Sequence, residues 1–342
     1  MNILIIRLSA IGDVVMASPL LRALRARYPE ARISWLAQPE CKGLLQANPR
    51  LDEVIVWPRG EWQRLWRERR FLALGREILA FRRQLRARRF DLVLDIQGLL
   101  KSGLMAWLTG AHERVGLGSR EGSAHLMTRV VDNSDNGDER IGSEYRRLAA
   151  ALELPGEPFE MDIVPSEEDA RFARDWLARS GLQGGYAVIC PFTTRPQKHW
   201  REERWPELAR RISSELGLAV VMLGGPGDQE ASVRIHAGEP EIHNLVGETR
   251  LAQAAALISA AKLLVGVDTG LMHMGIAFNV PTIALFGSTR PYLDTTHANS
   301  RVLYKHFDCS PCRRRPTCDG SFPCMAALTV EEILATAKEL VQ

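Results

Sequence analysis

The sequence predicts an α/β protein of two similar domains, each an open parallel sheet with helices on both faces. Three observations predict it. The chain has 342 residues, about two domains at the usual length per domain. Apolar runs of strand length alternate with segments of helical period, and continuous Val/Ile/Leu runs mark strands covered on both faces. The alternation pauses once, at Leu154-Pro155-Gly156-Glu157-Pro158, and then starts again.

In the first half the predicted strands are Asn2–Arg7, Ile33–Ala37, Glu53–Trp57 and Asp91–Ile96, with short ones at Glu113–Val115 and Arg129–Val131. Helices are predicted over Pro19–Tyr28, Cys41–Asn48, a long basic stretch from Glu61 to Arg88, a segment after Lys101, and Arg140–Leu152. A linker is placed near residues 155–180. Within it Pro165-Ser166-Glu167-Glu168 has the form of a helix start with Ser166 as cap, so the domains are read as 1–165 and 166–342. The second half predicts strands at Tyr186–Cys190, Ala219–Leu223, Ile242–Val246, Leu263–Val267 and Thr282–Phe286. Helices lie at Pro206–Leu216, Ala231–Ala237, Leu251–Ala260 and Leu271–Phe278. Thr329-Val330-Glu331-Glu332 is a capping-box pattern that opens a last helix to about Leu340. Two such domains put a cleft between them, with ligands expected beyond the carboxyl ends of the strands.

Composition excludes several classes. Apolar residues make up 46% and charged residues 25%, which is globular rather than disordered or fibrous. No 20–50-residue period repeats. Lys101 and Lys262 interrupt the longest apolar stretches short of the ~18 residues of a membrane span. Ile3–Ile6 runs straight into Arg7 with no apolar signal region, so a cytoplasmic location is expected. The net charge is +3, yet Arg59–Arg89 alone holds eleven Arg and three Glu, a local +8. A stretch this basic in a nearly neutral chain points to an anionic partner. A nucleic acid is not favoured, because few aromatics are interleaved and no nucleic-acid motif is present.

Of six cysteines, Cys41 and Cys190 are isolated. Cys309, Cys312, Cys318 and Cys324 are clustered, with only one tight C-x2-C pair. A structural metal and a packed thiol-rich loop both remain open.

Four segments at strand–helix turns carry candidate chemistry. Gly12-Asp13 follows the first strand, where Gly12 is expected to turn the chain sharply. Asp13 then faces the cleft as a general base, or merely caps the next helix. Thr193-Thr194-Arg195 with Lys198 and Trp200 follows the first strand of the second half, where hydroxyls and a lysine suit a phosphate. Gly224-Gly225-Pro226-Gly227-Asp228 allows close backbone approach, with Asp228 free to accept from a ribose, or is an ordinary turn. Asp268-Thr269-Gly270-Leu271-Met272-His273 opens a helix whose amides and dipole favour an anion; Asp268 alone also reads as a cap. No G-x-G-x-x-G, P-loop, G-x-S-x-G or H-E-x-x-H pattern is present.

Together, Arg7–Asp13, Asp95-Ile96-Gln97-Gly98-Leu99-Leu100-Lys101-Ser102, Thr193–Trp200 and Val267–His273 resemble glycosyltransferase family 9, the lipopolysaccharide heptosyltransferases, in family order and across nearly the whole chain. The resemblance is strongest to the heptosyltransferase I type. It implies a GT-B fold with an N-terminal acceptor half and a C-terminal nucleotide-sugar half, the last helix commonly packing back on the first domain. It implies inverting, metal-independent transfer of L-glycero-D-manno-heptose from ADP-heptose to Kdo of the lipid A precursor, an anionic glycolipid, with peripheral contact at the inner leaflet of the cytoplasmic membrane. No cofactor beyond the donor substrate is implied.

By that resemblance Asp13 is the base. Lys198, Thr193, Thr194 and the Thr269-Gly270 helix end stabilise departing ADP. Asp228 and Thr249 flank the adenosine, and Asp268 and His273 line the donor site. Arg7, Ser9, Gly12, Lys101 and Arg120 fall on the acceptor side, with some arginines of 59–89. Other acceptors, such as the first inner-core heptose (heptosyltransferase II type), and a sugar-nucleotide epimerase of similar fold are the alternatives.

Overall fold

The apolar runs form two sheets in a computed structural model that describes residues 1–134, 137–289, 291–312 and 315–341. The first holds β1 (Asn2–Ile6), β2 (Arg32–Ala37), β3 (Glu53–Val56), β4 (Leu92–Asp95), β5 (Glu113–Leu117) and β6 (Arg129–Val131). The second holds β7 (Tyr186–Cys190), β8 (Ala219–Met222), β9 (His243–Asn244), β10 (Leu263–Val267), β11 (Thr282–Phe286) and β12 (Ser300–Tyr304). All their pairings are parallel. The strand orders are β3-β2-β1-β4-β5-β6 and β12-β11-β10-β7-β8-β9. The α/β class and the two parallel sheets therefore stand as the apolar pattern predicts.

The pleat sends successive residues to opposite faces, and here both faces are buried. Ile3 and Ile5 join Ile33, Trp35 and Leu94 in one layer. Leu4 and Ile6 join Leu36, Val93 and Phe81 in the other. In the second sheet Ile189, Val265 and Leu285 pack with Val330, Ile333 and Leu334 of the last helix, Val330–Val341. Thr329 Oγ1 caps that helix by accepting from the Glu332 amide at 3.2 Å. Ser166 Oγ accepts from the Asp169 amide at 3.1 Å and opens the helix Glu167–Arg179.

The chain divides into two compact units. One comprises residues 1–138 and 142–164; the other comprises 139–141 and Pro165 onward. The three-residue insertion is tied into the second unit by main-chain bonds: Ile141 N–H to the Asp294 carbonyl at 2.8 Å and Asp294 N–H to the Glu139 carbonyl at 3.2 Å.

Several predicted elements are corrected. The second half of the presumed linker 155–180 is the helix Glu167–Arg179, whose apolar Ala173 and Leu177 are buried. The strand expected at Ile242–Val246 shrinks to β9, and the helix expected at Cys41–Asn48 shrinks to Lys42–Leu45 behind a short turn at Pro39–Cys41. Strand β12 was not predicted, since Ser300–Tyr304 carries Arg301 and little apolar run.

The long basic helix is two helices, Arg59–Arg67 and Phe71–Ala87. A straight helix over that stretch would run about 45 Å, whereas the break folds Trp62 back onto both Trp57 and Phe81, at centroid distances of 6.0 and 5.6 Å. The break is a Schellman motif. Arg70 N–H bonds the Leu65 carbonyl at 2.9 Å, Arg69 N–H bonds the Trp66 carbonyl at 3.0 Å, and Arg69 sits at φ +56°, a conformation that glycine adopts without its Cβ clash. Arg69→Gly should accordingly raise stability by about 1 kcal/mol, read as a higher urea midpoint; a lower midpoint would contradict the strain at Arg69.

Candidate active site

Each sheet reverses its strand order once, between β1 and β4 in the first and between β7 and β10 in the second. Connections diverge at such a point and leave the carboxyl ends of the two central strands uncovered. Most of the predicted residues gather at these two places, one in each unit.

In the first unit the loops after β1 and β4 are joined by the Leu8 amide, which donates to Gln97 Oε1 at 2.8 Å. Helix Ile11–Ala17 begins after an extended Ala10. Asp13 is its third residue and reaches back to accept from the Ala10 amide at 3.2 Å. It also pairs with Arg7 Nη2 at 2.5 Å, while its side chain stays 34% exposed. Arg7 Nη1 donates to the Ile96 carbonyl at 2.9 Å. Asp13 thus serves as both local cap and cation-paired carboxylate. Gly12 is not the sharp turn expected: it lies inside the helix without a positive φ, and Ala10 makes the entry. Ser9, half-buried, precedes it.

The chain backs this carboxylate from a third direction. Gly142, at φ +68°, lies so close to helix Ile11–Ala17 that a Cβ there would sit 3.1 Å from the Met16 carbonyl oxygen. The buried Tyr145 hydroxyl donates to the Asp13 carbonyl at 3.4 Å. Burial pushes the neighbouring Glu144 carboxyl up, the Asp13 charge adds to that, and Arg7 opposes it.

After β4, Asp95 Oδ1 accepts from the Gln97 and Gly98 amides at 3.2 Å each. Gly98 has φ +65°, and a Cβ there would lie 2.5 Å from the Leu117 carbonyl oxygen, so the turn requires glycine. The Gly98 carbonyl accepts from the Arg120 amide at 2.8 Å, bringing Arg120 to the same rim. Lys101 enters on helix Leu100–Thr109, whose first turn is held by Ser102 Oγ accepting from the Leu99 amide at 3.1 Å. Burial, then the charges of Arg59 and Arg7, push the Lys101 ammonium down, opposed by Glu121. Arg7, Arg59 and Lys101 therefore share one positive field suited to a carboxylate or phosphate.

In the second unit the loop after β7 carries Thr193, Thr194 and a short turn, Pro196–Lys198. Trp200 is an anchor rather than a ligand-facing group. It is buried, stacks edge-on against Trp205 at 4.9 Å and donates to the Leu328 carbonyl at 2.9 Å. His199 Nε2 lies 2.9 Å from the Thr193 carbonyl oxygen and fixes the loop. Lys198 Nζ meets Asp268 Oδ2, at the end of β10, at 2.5 Å. The same oxygen accepts from Thr289 Oγ1 at 2.6 Å. His273 Nε2 lies 3.5 Å from Asp268 Oδ1, and its Nδ1 lies 2.8 Å from the Tyr292 hydroxyl.

Burial works to raise the Asp268 carboxyl, but the His273 hydrogen bond and the Lys198 charge outweigh it and hold it well below the usual carboxylate range. Asp268 is not the helix cap: Thr269 takes that position before helix Gly270–Ala277. The Thr269-Gly270 amides are left at the head of the helix, beside the buried His273.

The other predicted residues are placed differently. Asp228 Oδ2 accepts from the Gly225 amide at 2.8 Å and closes its own turn. Gly224 is needed there because a Cβ would lie 2.5 Å from the Phe192 ring. Thr249 is half-buried, in the turn after Gly247. Cys309, Cys312, Cys318 and Cys324 are free thiols. Among the described residues no three His, Cys, Asp or Glu side chains are arranged to hold a metal. Sequence reasoning missed Thr289, Tyr292 and Tyr145. Thr289 was findable, because it lies just past the predicted strand Thr282–Phe286, at a carboxyl end.

A family model described as glycosyltransferase family 9 (heptosyltransferase) matches residues 78–321. The chain is 30% identical over 326 residues to lipopolysaccharide heptosyltransferase 1 of Pseudomonas aeruginosa, covering 93% of this chain and 87% of that one. It is 31% identical over 303 residues to lipopolysaccharide heptosyltransferase 2 of Escherichia coli K12, covering 85% and 84%. A solved structure of Escherichia coli ADP-heptose LPS heptosyltransferase II matches with a TM-score of 0.78 and 27% identity, over 100% of this chain and 98% of that one.

The Asp268 environment has a pH signature. A carboxyl whose folded pKa lies below its unfolded value of 3.8 contributes stability above that value and loses it as the pH falls through the folded one. Asp268→Asn should cost about 3–5 kcal/mol at neutral pH by stranding Lys198. Its denaturation midpoint should converge with the parent's as the pH drops below about 4; a constant gap down to strong acid would contradict this.

Proposed function

We infer the reaction from a premise that the comparisons establish: the chain belongs to glycosyltransferase family 9, the heptosyltransferases. It is an enzyme that transfers heptose, and the epimerase alternative falls with that assignment. We propose that it moves L-glycero-D-manno-heptose from ADP-heptose to Kdo of the lipopolysaccharide inner core, working at the inner leaflet of the cytoplasmic membrane. The likeness of Gln97–Ser102 and Thr193–Trp200 to the heptosyltransferase I type supports Kdo. The second reading, with the first inner-core heptose as acceptor, is favoured by the relative of type 2, which is as similar as that of type 1.

The observation that carries the chemistry is the Asp13 carboxylate, oriented by Arg7 and the Ala10 amide yet open to solvent. In the proposed reaction an acceptor hydroxyl gives its proton to Asp13 as its oxygen attacks the anomeric carbon. The bond from that carbon to the diphosphate breaks on the opposite face, its electron pair leaves with ADP, and the configuration inverts. Lys198, Thr193, Thr194 and the Thr269-Gly270 amides receive the charge on the departing diphosphate. Asp268 holds Lys198 ready, and Thr289 and His273 hold Asp268. Arg7, Lys101 and Arg120 meet the acceptor's anionic groups, with Ser9 and Gly12 lining that side; Asp228 and Thr249 flank the adenosine.

Incubation with ADP-heptose and either Kdo-lipid A or its heptosylated product, read by mass spectrometry, tests the acceptor. A heptose mass added to Kdo-lipid A is expected, and addition only to the heptosylated acceptor would favour the second reading. Asp13→Asn should lower turnover by about 10²–10⁴-fold with donor affinity nearly unchanged; parental turnover would remove the base. Because Lys198 and the helix end already supply positive charge, no divalent cation is required in this proposal. Excess EDTA should leave the rate unchanged, and a loss restored by magnesium would refute that.

A further inference from the structure

The basic segment has a second property that its charge conceals. Eleven large apolar side chains are exposed among the described residues, and seven of them lie between residues 66 and 107. At the elbow between helices Arg59–Arg67 and Phe71–Ala87, Trp66 is 64% exposed, Phe71 54% and Leu72 85%. The Trp66 and Phe71 rings pair edge-on at 5.3 Å, so the tip is a preformed aromatic wedge. Along helix Leu100–Thr109, Leu100, Leu104 and Trp107 recur at i, i+4 and i+7, the spacing of one helical face, and all three are exposed. Helix Phe71–Ala87 packs against both neighbouring helices, so the three form one contiguous layer.

On the same two helices and the turn between them, Arg67, Arg69, Arg76 and Arg83 are exposed. Among the described residues none of the four forms an ion pair, whereas Arg64 and Arg70 are paired with Glu68, and Arg64 also with Glu61. Exposed aromatics on helices that also carry exposed arginines form the pattern of a helix lying in a lipid interface: the rings enter the headgroup boundary and the guanidinium groups meet lipid phosphates. No helix among the described residues is long and apolar enough to cross a membrane, so the contact such a face makes is shallow.

We propose that the layer formed by helices 59–67, 71–87 and 100–109 docks on an anionic lipid bilayer, with Trp66, Phe71 and Leu72 as the inserted tip. The inference deepens the membrane-side reading made above and rests on it for its biological setting. The physical claim is separable. Helix Leu100–Thr109 carries both Lys101 and the Leu100/Leu104/Trp107 stripe, so the layer that touches lipid would also bring the acceptor's anionic sugars beside Lys101.

Flotation of the full chain with vesicles that contain no acceptor tests the proposal. The vesicles are phosphatidylcholine alone or phosphatidylcholine mixed with phosphatidylglycerol. Binding is expected to the mixed vesicles, weakening as salt rises. The triple variant Trp66→Ser, Phe71→Ser, Leu72→Ser should lose roughly tenfold or more with its melting curve retained, since the three side chains are exposed. Arg67→Glu with Arg76→Glu should lose the preference for the anionic lipid. Parental binding by the triple variant, or equal binding to both vesicle types, would overturn the proposal. So would self-association that the triple variant abolishes without any vesicle binding, which would assign the wedge to a second copy of the chain. Vesicle binding with no heptose transfer would fail the enzymatic reading and leave the docking face standing; transfer without vesicle binding would do the reverse.

Discussion

The reversal of strand order in a parallel sheet is the constraint on which the molecule depends. A strand whose neighbours are reached by connections running in opposite directions leaves its carboxyl end uncovered, and only there does a buried, both-faces-packed sheet offer polar side chains to a ligand. β1 beside β4 and β7 beside β10 are those places. Every charged side chain with a catalytic assignment enters from a loop or first helical turn at one of them. Two of these strands are apolar to the last residue before the turn: Ile6 ends β1 and Val267 ends β10, with Arg7 and Asp268 directly after, while β4 ends on the buried Asp95. The change from hydrophobic packing to polar chemistry occurs within one peptide unit.

The two sites solve the same electrostatic problem with different degrees of burial. Asp268 is enclosed, and a carboxylate there stands only because Lys198, Thr289 and His273 supply a cation and hydrogen bonds in place of water. The cluster is a closed charge balance centred on the Lys198–Asp268 pair. Asp13 keeps one side in solvent and, among the described residues, has Arg7 as its one cationic partner, itself tethered to the backbone after β4. The buried site suits a group that orients, and the open one suits a group that must exchange a proton. Tyr145 and the tight approach at Gly142 brace the open site from behind, so its freedom is in its surroundings and not in its position.

Much of this was legible in the chain. The strands of both sheets declared themselves through runs such as Ile3–Ile6 and Leu263–Val267, because burial on both faces allows nothing else. Asp13, Lys198, Asp268 and His273 could be picked out because each follows such a run closely. The rest was hidden for identifiable reasons. Tyr292 reaches His273 from 19 positions away through a loop with no periodic pattern. β12 is an edge strand that needs few apolar residues. The break at Arg69 is made by an arginine where a glycine would have announced it, and what forces it is the packing of Trp62 on Phe81, a contact invisible along the sequence. Lys198 and Asp268 were chosen separately as ligand-facing groups; that they are each other's partner is a property of neighbouring strands β7 and β10, which the sequence does not order.

Residues 139–141 belong to the second unit while the residues on either side of them belong to the first. The polypeptide therefore passes between the units three times, near 138, 141 and 164. A gene fragment cut at the Pro/Gly-rich stretch would carry Glu139–Ile141 away from Asp294, leaving that loop's main-chain donors and acceptors without their partners. Halves of related chains could not be exchanged at that one seam without breaking those bonds. Such threading ties the sequences of the two units into one unit of inheritance, so each would change by point substitution within a whole chain and not by recombination of modules.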